Sequence, residues 1–136
     1  MKAIICKKFG PPDNLELVEL DDLIPNNDEV KIAIDACGVN FPDTLIIEDK
    51  YQFKPPLPFS PGGEVSGEII EVGKDVKKFC IGDKVMAMTL YGGFAENILI
   101  NQKDLIRRPI KMDKITAAGF TMTYGTSMYA LKQRAK

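Results

Sequence analysis

The sequence predicts a mainly β fold: a small barrel of short strands with short helices, ending in a helical segment. Three observations carry this. Apolar residues alternate with period two in several runs, most cleanly from Glu29 to Cys37. Clusters of glycine, proline and asparagine interrupt the chain repeatedly as far as Pro109. From Asp113 onward such breakers thin out and helix formers take over. The predicted division is a barrel over residues 1–112 and a helical segment over 113–136.

Residues 3–6 (AIIC) are a short apolar run closed by Gly10-Pro11-Pro12. Leu15 to Leu20 alternates and predicts a strand. Pro25-Asn26-Asn27-Asp28 is a turn. In the Glu29–Cys37 strand, Val30, Ile32, Ile34 and Ala36 point one way, and Lys31, Ala33, Asp35 and Cys37 the other. Gly38 to Asp43 reads as a loop, with Asn40 a turn or cap residue. Asp43 is the expected N-cap of one helical turn reaching Ile47.

Tyr51 to Pro61 holds Pro55, Pro56, Pro58 and Pro61 among Tyr51, Phe53 and Phe59. It predicts a packed, extended loop. Glu64 to Val72 is a strand. Its apolar phase shifts between Val65 and Ile70, which predicts a bulge, and Gly67 marks a bulge or a close backbone approach. Gly73-Lys74-Asp75 and Gly82-Asp83 are turns. Lys84–Leu90 and Phe94–Ile100 read as strands joined by a hairpin turn at Gly92-Gly93, with one more strand at Asp104–Arg107. Asp113 is an N-cap, and Thr116–Phe120 and Thr126–Ala135 are expected to be helical. Met122, Met128 and Leu131 form an apolar helix face that calls for a covering surface. The end at Lys136 has no C-cap glycine and no polar tail, and reads as a cut.

Composition narrows the function. The 136 residues are 45% apolar and 27% charged, as in a globular domain. A net charge of −1 gives no field favouring nucleic acid or an anionic membrane. There is no histidine, which removes Ser-His-Asp and Cys-His machinery and HExxH zinc sites. The three cysteines (Cys6, Cys37, Cys80) form no CxxC pair and are expected to be free, buried, apolar thiols. Free thiols and the lack of a signal core predict a cytoplasmic protein. No apolar run approaches the roughly 20 residues of a membrane span.

No nucleotide fingerprint is visible. Gly62-Gly63-Glu64-Val65-Ser66-Gly67 is glycine-rich but is not GxGxxG. Polar residues in the irregular middle are the site candidates: Asn40, Asp43 and Tyr51 on loops. Glu64, beside two glycines, reads as a structural carboxylate bonded to loop amides.

These same residues carry a family resemblance. Cys37-Gly38-Val39-Asn40-Phe41-Pro42-Asp43, Lys50-Tyr51, Pro56 through Gly67, Val72-Gly73-Lys74-Asp75-Val76, Gly82-Asp83-Lys84-Val85 and Gly92-Gly93-Phe94-Ala95-Glu96 follow in order. So do Ala117-Ala118, Thr126 and Tyr129-Ala130-Leu131. The chain resembles the N-terminal GroES-like domain of the medium-chain dehydrogenase/reductase superfamily. Within it, the zinc-free, zeta-crystallin-like quinone oxidoreductases are the nearest group.

The resemblance implies a GroES-like barrel followed, in the family, by a Rossmann cofactor domain that is missing from these residues. It implies hydride transfer from NADPH to a quinone or another activated carbonyl, in a full-length protein that is a homodimer. Asn40 would face the nicotinamide and the substrate. Thr126 would hydrogen-bond the carboxamide of the cofactor. Tyr51 would line the substrate pocket and donate its hydroxyl to the reduced oxygen, and Asp43 would orient this substrate-side loop. Zinc-dependent relatives put cysteine at Asn40 and histidine at Gly63, and carry a four-cysteine lobe for which the hop from Met88 to Gly93 leaves no room. No zinc is therefore expected. The 136 residues alone are expected to be inactive. Two alternatives are a reductase of enals or enoyl thioesters, and a stand-alone GroES-like binding module.

Overall fold

A computed structural model describes residues 1–135 of the chain. Strands β1 (Lys2–Cys6) and β2 (Leu15–Glu19) pair antiparallel. Five more follow: β3 (Glu29–Gly38), β4 (Glu64–Val72), β5 (Lys84–Met88), β6 (Asn97–Asn101) and β7 (Leu105–Arg107). They form one antiparallel sheet in the order β6-β3-β4-β5-β7, curled into a half-barrel. Single bridges from Ala3 to Ala95 and from Cys6 to Phe59 fasten the β1–β2 ribbon to it.

The alternation in β3 and β4 builds the core. Val30, Ile32, Val65, Ile69 and Val85 meet there with almost no exposure. The curl has two sources in the pairing of β3 with β4. Ile70 on β4 and Asp35 on β3 drop out of register, giving one bulge on each strand. Gly67 is not itself the bulge. A Cβ there would stand 2.2 Å from the Ala33 carbonyl oxygen, so the glycine serves close approach.

Lys31 points to the other face of β3 and is buried. Its ammonium pairs with Asp22 at 2.6 Å and Glu71 at 2.7 Å. Bonds to these two carboxylates hold the Lys31 pKa above its ordinary value, and the Lys31 ammonium holds that of Asp22 below its own. The clamp binds the incoming segment, through Asp22, to the back of the sheet.

The hairpin expected at Gly92-Gly93 is not formed. β5 pairs with β4 and β7, while β6 pairs with β3, so the chain crosses over between β5 and β6. The glycines serve a different need. Gly92 has φ +106°, and Gly93 lies so close to Val65 and Cys37 that a Cβ would meet Val65 Cγ1 at 2.6 Å and Cys37 Sγ at 2.7 Å. Their amides bond Ser60 O at 2.7 Å and Gly62 O at 2.9 Å, pinning the crossover to the proline-rich loop.

Among the described residues three short α-helices accompany the strands: α1 (Phe41–Ile47), α2 (Lys114–Ala117) and α3 (Thr121–Tyr129). Asp113 caps α2, accepting from the amides of Ile115 and Thr116. Ala117 and Ala118 are buried where α2 meets β3 and β4, so the helical segment docks on the barrel. Gly38 makes that approach possible, since a Cβ there would lie 2.4 Å from the Ala118 carbonyl oxygen. Helix α3 begins at Thr121, five positions before the expected Thr126, and runs through Gly125. Ala130–Arg134 continues it as a wider, π-type turn. Lys136, the last position of the predicted 113–136 segment, lies outside the described residues.

Two glycine replacements separate packing from propensity. Gly67→Ala forces a methyl into the Ala33 carbonyl and is expected to cost about 2 kcal/mol of unfolding free energy. Gly125→Ala meets nothing within 4 Å on an exposed helix and is expected to raise stability by about 0.5–1 kcal/mol. Urea midpoints of the two variants check both signs.

Candidate functional site

The site is built where β3 ends, β4 begins and α1 starts. Register places Gly38, the last residue of β3, opposite Glu64, the first of β4. Asn40, in extended conformation, is the N-cap of α1. The expected cap, Asp43, lies instead inside the helix, at its third position. Pro42 explains the earlier start, because a residue without an amide hydrogen fits the first helical turn.

Asp43 is buried, and both its oxygens face inward. Oδ2 accepts from the Asn40 backbone amide at 2.8 Å, and Oδ1 accepts from the Gly62 amide at 3.2 Å. Burial pushes the Asp43 carboxyl above its ordinary range, and the nearby Glu64 adds to this. Amide hydrogen bonds from Asn40, Gly62 and Gly63 act against it.

Glu64 is 1% exposed. Its Oε2 accepts from Asn40 Nδ2 at 3.0 Å and its Oε1 from the Met122 amide at 2.9 Å. It is thus a structural carboxylate, as the flanking glycines suggest. Its partners are a side-chain amide and a helix amide, both remote in sequence, where the sequence pointed to neighbouring loop amides. No periodicity points to such partners.

Around this buried node the surface turns apolar. Val39 and Phe41, on either side of Asn40, are 76% and 73% exposed. Asn40 itself is half-buried. Thr126 is exposed on α3, one turn beyond Met122 and on the same helix face. Among the described residues, Tyr51 makes no hydrogen bond to the Asn40–Asp43–Glu64 cluster. It is half-buried and packs on the satellite core of Cys6, Ile46, Ile47 and Phe59 under α1. An apolar pocket of about 270 Å³ lies between β5, β7 and α3, lined by Met86, Ile106, Phe120, Tyr124 and Met128. Of the apolar helix face expected from sequence, Met122 is half-buried, while Met128 and Leu131 are exposed.

The thiols differ. Cys6 is buried, Cys37 half-buried and Cys80 exposed, so the expectation of three buried thiols fails at Cys80. Burial pushes the Cys37 thiol up to about 12. Among the described residues, no group of three or more His, Cys, Asp or Glu side chains is placed to hold a metal ion, and no helix is long and apolar enough to cross a membrane.

The alcohol dehydrogenase GroES-like domain model matches residues 26–110. The chain belongs to that family. Over nearly all its length this GroES-like domain is similar to quinone oxidoreductases. The quinone oxidoreductase-like protein 2 of Rattus norvegicus is 36% identical over 135 residues, covering 99% of this chain and 38% of the relative. The quinone oxidoreductase from Coxiella burnetii superposes with a TM-score of 0.92 at 30% identity, covering 99% of this chain and 45% of that one. The Escherichia coli quinone oxidoreductase complexed with NADPH gives 0.89 at 28% identity, covering 99% and 41%. The chain therefore spans about two-fifths of the length of these relatives.

The raised Asp43 pKa fixes a pH dependence. The folded state holds this proton more tightly than the unfolded chain does. The resulting stability is complete below the unfolded carboxyl value and is lost as pH rises through the raised folded value. Urea midpoints of the wild type and Asp43→Asn, measured from pH 6 down to 3.5, are expected to diverge in favour of the wild type as the pH falls. A gap that narrows on acidification contradicts the assignment. With a thiol reagent at pH 8 the native chain is expected to show one fast cysteine, abolished by Cys80→Ser, with Cys37 silent until unfolding.

Proposed function

We propose that this GroES-like domain forms the substrate-facing side of a zinc-independent, NADPH-dependent quinone oxidoreductase. The observation that carries the reading is Asn40. It is a half-buried amide held from behind by Glu64 and flanked by the exposed apolar side chains of Val39 and Phe41. A fixed, half-buried amide suits a ring with a polar substituent, and nicotinamide and quinone are both of that kind. The similarity to quinone oxidoreductases, one of them solved with NADPH, supports the same reading.

NADPH supplies the hydride when bound; the protein's part is position and hydrogen bonding. Asn40 offers its remaining amide hydrogen and its carbonyl to the ring substituents. Thr126 offers a hydroxyl from the α3 face that also carries Met122, toward the cofactor carboxamide. The Tyr51 hydroxyl is the proposed hydrogen-bond donor to the reduced oxygen. Asp43 keeps the loop and α1 in register, and its backbone partners leave it no proton-transfer role. A quinone is electrophilic enough to accept hydride without a Lewis acid, which matches an asparagine and a glycine at positions 40 and 63. The free cysteines support a cytoplasmic location.

The natural full-length protein that carries these residues is expected to bind NADPH saturably by nicotinamide fluorescence and to reduce a simple benzoquinone. Asn40→Ala is expected to weaken NADPH binding about fivefold to tenfold, the worth of one to two hydrogen bonds. Turnover of an enal in preference to the quinone changes the substrate class. Absence of any NADPH dependence overturns the proposal.

A further inference from the structure

We propose that Glu64 is a positioning residue: one buried carboxylate sets both the side-chain amide of Asn40 and the first turn of α3. Its importance for cofactor binding rests on the reading of Asn40 and Thr126 given above. Helix α3 needs such a partner. Its N-cap position is occupied by Phe120, whose side chain caps nothing. The first amides of a helix have no acceptor of their own. Met122 is the second helical residue, and its amide finds the Glu64 carboxylate at 2.9 Å. A negative group is favoured at that end of the helix.

The second oxygen fixes Asn40. The Asn40 amide presents its nitrogen, not its oxygen, to Glu64 Oε2. The outward side of that amide is thereby determined. Gly38 keeps the space clear, for a Cβ there would lie 3.2 Å from Glu64 Oε2 and 3.3 Å from Asn40 Nδ2. At 1% exposure, bulk water does not compete for the carboxylate. Asn40 and the α3 face that carries Thr126 come from distant parts of the chain, and one side chain links them.

The test is the side-chain and backbone amide spectrum of the chain by ¹⁵N NMR, without any ligand. Wild type is expected to show an Asn40 side-chain amide pair with one proton shifted downfield, and a Met122 amide slow to exchange. Glutamine has one accepting oxygen for two donors. In Glu64→Gln, Met122 is therefore expected to keep its protection while the downfield Asn40 signal is lost. The double variant Asn40→Asp/Glu64→Gln exchanges donor and acceptor and is expected to restore the stability lost in the single one. Unchanged Asn40 signals in Glu64→Gln overturn the proposal. If that variant does not fold, a wild-type Met122 amide that exchanges as fast as the exposed amides of α3 overturns it equally. None of these readouts involves NADPH, so they stand even if the protein proves to have no affinity for it. Where NADPH binds, Glu64→Gln is expected to weaken it by about the same factor as Asn40→Ala.

Discussion

The register of β3 against β4 is the constraint on which the rest depends. These two strands are the middle of the sheet, and Gly67 lets their backbones approach more closely than any side chain would allow. The same register brings Gly38 opposite Glu64 and so delivers Asn40, two residues past Gly38, to the buried carboxylate. A one-residue slip would turn Glu64 to the opposite face. It would also send Val65 and Ile69 out of the core. Hydrophobic burial and site geometry are therefore enforced by one pairing.

The chain buries charge in two ways. Lys31, on the back of β3, is neutralised by two carboxylates in direct ion pairs. Asp43 and Glu64, at the front, receive no cation and are met by N–H donors. Ion pairing fixes a strand to its cover, whereas amides bonded to carboxylates fix the direction of hydrogen-bonding groups. The second solution suits a place where a neutral ligand is to be oriented, and it leaves two like charges near one another, which adds to the rise in the Asp43 pKa.

Much of this was legible in the sequence, wherever a local rule applied. Alternation located β3 and β4, the phase shift foretold the bulge, and Asp113 marked the start of α2. What stayed hidden was non-local. Gly92-Gly93 has the composition of a hairpin turn, yet it is a crossover, because only the sheet order reveals that β5 and β6 are not neighbours. Asn40 took the cap from Asp43 because Pro42 moved the helix start, a subtle effect two residues away. Helix α3 starts at Thr121, where its second amide is bonded to Glu64, a partner 58 residues away in the chain. The site was visible as residue types on loops and invisible as a cluster. Asn40, Asp43 and Glu64 come together, while Tyr51 serves the satellite core.

The crossover also decides which strand is left at an edge of the sheet. In sequence β6 lies between β5 and β7, yet those two pair with each other and β6 pairs only with β3. The strand is thus carried on an excursion that leaves one edge of the sheet and returns to it. β6 is accordingly an edge strand, paired with β3 on one side. Its loss would uncover Ile98, Ile100 and the face of Ile32 together and leave an unpaired, apolar edge open to other chains.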